Sequence, residues 1–146
     1  MPSAPDGATA TTLVHEVAFF ETDAMGVVHH ANYLRFFELA RVRWLEEHDR
    51  PYLEYVAEDV HLAVTRAQVD YHQSARFADA LAITTWLAWV RGASLCMEYD
   101  LAVGDVRVAS GATEHAAVDA TGRVRRIPRP TRARLRGLAL REPPSG

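Results

Sequence analysis

One amphipathic helix pattern followed by a long run of two-residue alternation narrows the fold of this chain more than any other feature. From Tyr33 onward the large apolar residues fall at Tyr33, Phe36, Phe37, Ala40 and Trp44, the spacing that lines one face of an α-helix. Arg35, Glu38, Arg41 and Arg43 fall mostly elsewhere around the wheel. Asp49, Arg50 and Pro51 end the pattern, because proline disfavours helical geometry in the residue before it. From Val60 the period changes to two. Residues 60–72, 81–90, 94–103 and 106–119 read as strands, separated by QSARFAD, by Arg91-Gly92 and by Gly104-Asp105. The first of these strands is expected to bulge near Arg66 to Gln68. Residues 81–90 (LAITTWLAWV) are apolar on both faces, as for a strand inside a sheet.

A strand is also expected at Leu13 to Phe20, ahead of the helix. Residues 52–58 read as a helical turn or a loop, and 131–140 as a short helix. One strand, one long helix, then four strands in hairpin order predict an α+β fold: a five-stranded antiparallel sheet wrapped around one central helix. The length of 146 residues suits one domain, expected over 13–140 with flexible tails at 1–12 and 141–146. Open sheet edges and strands apolar on both sides predict a homo-oligomer.

Composition removes several classes of function. A net charge of -3 gives no electrostatic footprint for nucleic acid. All sixteen basic residues are arginine, which reads as a genomic bias, although seven of them crowd into Arg123 to Arg136 and could meet an anion or a partner subunit. The one cysteine, Cys96, sits in an apolar run and reads as a buried small side chain. No stretch approaches the ~20 apolar residues of a membrane span. The N-terminus MPSAPDGATATT lacks the basic start and apolar core of a secretory signal. A cytoplasmic location is the resulting expectation. There is no glycine-rich phosphate loop, no Gly-x-Ser-x-Gly elbow and no recurring ligand spacing for a metal.

The chemistry concentrates in ETDAMGVVHHANY, residues 21–33. Asp23 precedes a helix start, where free backbone N–H groups can hold developing negative charge. Taken alone, Asp23 reads as a capping or loop acid. His30 could bond a substrate oxygen, orient Asp23 or cap the helix; His29 points elsewhere, and Asn32 caps the helix or holds a ligand amide. Glu38, with Arg35 and Arg41 three residues away on either side, reads as a surface ion pair.

This stretch resembles hotdog-fold acyl-CoA thioesterases of the 4-hydroxybenzoyl-CoA thioesterase type, in particular the bacterial Tol-Pal-associated branch. The residues that carry the resemblance run from Glu21 through Asp23, Gly26, His29 and His30 to Tyr33, then Phe37-Glu38 and Ala40-Arg41. A second stretch agrees: Val69-Asp70-Tyr71-His72, Ala75-Arg76 and Asp79. The likeness runs from about Val14 to Ile127.

The resemblance implies that Asp23 is the catalytic carboxylate, as general base or nucleophile. It implies that His30 lies near that acid and that the His30 backbone N–H polarises the thioester carbonyl. Gly26, Val28, His29, Ala31, Asn32 and Tyr33 would bind substrate around it, with Arg91 and Arg126 as surface arginines for the CoA nucleotide. The acyl group would bind between subunits of a dimer, or of a tetramer built as a dimer of dimers. No cofactor or metal is implied, coenzyme A being part of the substrate. The rival readings are hydrolysis of acyl carrier protein thioesters, hotdog hydratase or dehydratase chemistry, and a non-catalytic acyl-CoA-binding dimer.

Overall fold

The computed structural model describes residues 4–145. Helix α1 spans Asn32–His48 and buries Tyr33, Phe36, Phe37, Ala40, Trp44 and Leu45, so the apolar stripe read from the sequence faces the core. Around it run β1 (Ala10–Glu16), β2 (His61–Tyr71), β3 (Ala80–Val90), β4 (Ser94–Val103) and β5 (Val106–Val118), with short helices α2 (Tyr52–Ala57) and α3 (Arg129–Leu138). The Phe37 ring stacks on Tyr99 of β4 with centroids 4.1 Å apart. The Trp44 indole N–H donates to the Thr9 carbonyl at 2.8 Å. Burying each of these aromatic rings contributes roughly 2–3 kcal/mol.

All strand pairs are antiparallel and the order is β1-β3-β4-β5-β2. The five-stranded sheet with its central helix is the expected α+β arrangement; the expected hairpin from β2 to β3 is not. β2 pairs with β5, and β1 takes the free side of β3. The chain crosses from the β2 edge to the interior strand β3 through residues 72–79, tied down where Val28 N–H donates to Ala75 O at 2.8 Å and Val17 N–H to Asp79 O at 2.9 Å. The β2 irregularity falls between Val64 and Arg66, just before its expected place.

Several boundaries move. β1 begins at Ala10 rather than Leu13 and stops at Glu16, because Phe19–Glu21 close a 3-10 turn held by Ala18 N–H on the Glu21 carboxylate at 2.7 Å. Residues 10–12, expected in a tail, therefore pair with β3; residues 1–3 and 146 of the expected tails lie outside the described residues. At the other end, Leu140 and Arg141 donate to the Leu87 and Ala88 carbonyls at 2.9 and 3.0 Å. They lie along β3 beyond Trp86, where β1 has run out. Arg141 also grips Glu98 at 2.5 Å. The first residue of the expected C-terminal tail is thus hydrogen-bonded along β3.

Helix α1 packs chiefly on β3 and β1, which leaves β2 open. Most of β2 is exposed on both faces, with Val64 54% and Tyr71 53% accessible. It is also a sheet edge.

Under the middle of the helix lies a buried polar chain. Arg41 donates to Tyr99 Oη at 3.2 Å, Tyr99 meets Thr113 at 2.6 Å, and Thr113 meets His115 Nε2 at 2.8 Å. Burial, reinforced by the Arg41 charge and opposed by the Leu62 carbonyl, pushes His115 down to about 4, and its buried Nδ1 makes no hydrogen bond. Between the ordinary value and 4 the unfolded chain takes a proton that the folded chain refuses. Stability is therefore whole above about pH 6.5 and falls by roughly 3 kcal/mol as the pH drops toward 4. Urea unfolding across that window should show the fall in the wild type and a flatter dependence in His115→Asn; parallel curves would contradict it.

Candidate active site

The turn before the helix is built from its own backbone. Asp23 C=O accepts from Gly26 N–H and Asp23 N–H donates to Val27 O, both at 2.9 Å. Asp23 Oδ1 accepts from Met25 N–H at 2.8 Å and from Val27 N–H at 3.4 Å. Gly26 sits at φ +80, in the left-handed region that a residue with a Cβ adopts at a cost. Among the described residues Asp23 Oδ2 accepts no hydrogen bond, so one oxygen of the carboxylate holds the loop while the other is uncommitted.

The loop is stapled on both sides. Val27 bridges to Arg76, His29 N–H donates to Glu21 O at 2.9 Å, and the Asn32 side chain donates to the same carbonyl at 2.8 Å. Asn32 is thereby committed to the scaffold. The His29 ring stacks against His30 at 4.2 Å and its Nδ1 accepts from Ala31 N–H at 3.2 Å. The Tyr71 hydroxyl donates to the His30 carbonyl at 3.0 Å.

These bonds use the amides of residues 25–29 and 31–33, Asn32 N–H going to His29 O and Tyr33 N–H to His30 O. Among the described residues the His30 N–H has no partner. It sits at the head of α1, where the helix dipole adds positive potential.

His30, Val28 and Tyr33 line a cleft of about 250 Å3 with Tyr71, His72, Gln73 and Ser74. Tyr33 is buried, its ring edge-on to Tyr71 at 5.3 Å. Burial raises its phenol above the ordinary value, against a hydrogen bond from the Ala75 backbone and with Tyr71 adding to the rise, which keeps it neutral. Asp23 is not in the wall of this cleft. The sequence reading did not assign Tyr71 to Ser74 to the site, although Val69-Asp70-Tyr71-His72 stood in the second matching stretch.

The two expected CoA arginines lie elsewhere in the chain. β3 starts beside the loop, with Leu81 opposite His15, and runs roughly 30 Å to its far end. Arg91 follows that end, stacked over Trp89 at 4.9 Å and donating to the Pro144 carbonyl. Arg126 packs its guanidinium over Gly92. A single chain therefore separates both from Asp23. Within the arginine run, Arg134 pairs with Asp49 at 2.6 Å and Arg125 caps the Glu58 and Asp59 carbonyls. Arg126, Arg129 and Arg136 instead repel Arg132, whose value is lowered first by desolvation and then by those charges.

Glu38 pairs with Arg41 at 3.8 Å and is mostly exposed. Burial, first, and the acids Glu98 and Glu114 push Cys96 up to about 12, consistent with a packing role. Among the described residues no three His, Cys, Asp or Glu side chains are placed to hold a metal, and no helix is long and apolar enough to cross a membrane.

Residues 17–135 match the Thioesterase-like superfamily, and the chain belongs to that family. It is 40% identical over 79 residues to the acyl-CoA thioester hydrolase YbgC of Escherichia coli, a match spanning 54% of this chain and 59% of the relative. It is 33% identical over 105 residues to the acyl-CoA thioesterase YbgC of Haemophilus influenzae, spanning 70% of this chain and 76% of that one. In three dimensions it superposes on the hypothetical protein TT1821 of Thermus thermophilus with a TM-score of 0.86 and 32% identity, covering 91% of this chain and 100% of the other. The hotdog fold expected from the sequence is the fold found.

Proposed function

We propose that this chain is an acyl-CoA thioesterase, converting acyl-CoA and water to a free carboxylic acid and CoA. The observation that carries the proposal is the unpartnered His30 amide just before α1, a free donor in a loop whose neighbouring amides are satisfied. A donor of that kind stabilises the oxyanion that forms when a thioester carbonyl is attacked. Asp23, in the same stapled loop, either activates the attacking water or attacks the carbonyl itself through Oδ2. The His30 side chain orients the group attacked. The names of the Escherichia coli and Haemophilus influenzae relatives support the reaction type, and the motif around Asp23 and His30 supports assignment to the Tol-Pal-associated branch.

The site works in a homo-oligomer, a dimer or a pair of dimers, in the cytoplasm. Supporting this is β2, an exposed edge strand of 11 residues with apolar side chains in the open, a surface that invites strand pairing. Two such copies could bring the CoA arginines Arg91 and Arg126 of one chain toward the Asp23 loop of the other. The test is free-thiol release from a panel of acyl-CoAs from acetyl to palmitoyl with benzoyl and phenylacetyl, alongside a sedimentation measurement of mass. Turnover of at least one member by a particle of two or more chains is expected. Inactivity on every member would shift the reading to carrier-protein thioesters or simple binding.

A further inference from the structure

Two peptide planes meet at His30 and between them set the direction of its free amide. The His30 N–H shares the first plane with the His29 carbonyl, which accepts from Asn32 N–H at 2.9 Å. That bond also polarises the shared peptide and strengthens its donor end. The second plane joins the His30 carbonyl to the Ala31 N–H. Its N–H end rests on His29 Nδ1 at 3.2 Å. Its carbonyl accepts from Tyr33 N–H at a long 3.4 Å and from the Tyr71 hydroxyl at 3.0 Å.

Tyr71 differs from the other holders. His29, Asn32 and Tyr33 belong to the loop itself or to the first turn of α1, so they move with it. Tyr71 is the last residue of β2, paired with Ala109 of β5. Among the described residues its hydroxyl is the one side-chain donor from the sheet that reaches the backbone of this loop. The Tyr71 ring stands edge-on to Tyr33 at 5.3 Å, and both residues line the His30 cleft. A phenol holds one proton. Here it is spent on the His30 carbonyl, so Tyr71 does not itself offer the donor that an oxyanion needs. His30 and Tyr71 are both exposed, and water would satisfy either group. What the bond contributes is therefore direction.

We propose that Tyr71 is a positioning residue for thioester hydrolysis: its hydroxyl anchors the peptide after His30 to the sheet and so fixes the aim of the His30 amide. The proposal rests on the thioesterase reading and extends its machinery beyond the helix-entry loop. A donor held in place before the substrate arrives needs no reorganisation when the oxyanion forms, whereas one that swings does.

The test is Tyr71→Phe, which keeps the ring beside Tyr33 and removes only the hydroxyl. Urea unfolding, steady-state kinetics on the preferred acyl-CoA and 1H–15N NMR of the His30 amide are measured beside the wild type. The NMR probe is an acyl-CoA analogue with methylene in place of sulfur. The unfolding midpoint should not move, kcat should fall about tenfold with KM little changed, and the downfield shift of the His30 amide on binding the analogue should shrink. An unchanged kcat would overturn the inference. A raised KM at constant kcat would overturn it by making Tyr71 a substrate-binding group. A lower kcat with the full His30 shift would overturn it too, since the hydroxyl would then act on the substrate or through the fold at large. A wild type active on acyl-CoA beside an unaffected variant removes this inference alone; a wild type inactive on every thioester removes the underlying reading with it.

Discussion

Asp23→Asn should lower kcat/KM for the preferred acyl-CoA by about 10²-fold or more, with the fold intact. The amide keeps an oxygen for the Met25 and Val27 N–H groups, so the turn that Asp23 closes survives. What disappears is the charge on the uncommitted oxygen, and an amide neither takes a proton from water nor attacks a thioester. The loss belongs in kcat as well as kcat/KM, because the group acts in the transition state more than in binding. Glu38→Gln in the same assay separates the two acids. It leaves a hydrogen-bonding side chain at an exposed position and should cost well under tenfold. If the two variants exchanged these behaviours, the acid would be on the helix and the account of the loop would be wrong.

Gly111→Ala should be the most damaging of the Gly→Ala changes among the described residues, destabilising by about 3 kcal/mol. Gly111 lies in β5 between Tyr99 of β4 and Val69 of β2. A methyl group there would run into the Gln68 carbonyl and come within 2.8 Å of the Phe37 ring. Neither can retreat. The carbonyl belongs to a paired strand, and the Phe37 ring is fixed face to face with Tyr99. The site at the head of the helix would feel the shift, so activity should fall with stability. Gly104→Ala is the control, since nothing lies near its Cβ position and only its turn geometry, at φ +59, resists the change. Chemical denaturation of the two variants side by side checks the ranking. A Gly111→Ala protein as stable as the wild type would mean the helix can move off the sheet.

The sequence carried the local structure well because period and burial coincide. Tyr33, Phe36, Phe37, Ala40 and Trp44 were readable as one helical face and are all buried. The strand from 81 to 90 was readable as interior and sits between β1 and β4. Strand order was another matter. Alternation says which face a residue takes but not which neighbour the strand chooses, and the eight residues from 72 to 79 fit a loose hairpin as well as a crossing. What decides between them is backbone bonding to the helix-entry turn, such as Val28 to Ala75, which leaves no compositional trace.

The site divides the same way. Asp23, Gly26 and His30 stand out in the sequence as one candidate cluster because turn, acid and helix start are contiguous, and the structure keeps them in one loop. Asn32 was legible as a candidate but not as a residue bonded to Glu21 O. Tyr71, His72, Gln73 and Ser74 reach the cleft only through the crossing. Arg91 and Arg126 offer only charge at the surface, and charge alone does not say which end of β3 a residue occupies.

The most direct test is the His30 amide itself, followed by 1H–15N NMR as the protein binds an acyl-CoA whose sulfur is replaced by methylene. That ligand keeps the carbonyl and cannot be hydrolysed. If the amide is the oxyanion donor, its proton should move downfield further than those of His29, Ala31 and Asn32, whose N–H groups already have acceptors, and it should move in Asp23→Asn as well. A His30 amide that stays in place while the ligand saturates the protein would contradict the account.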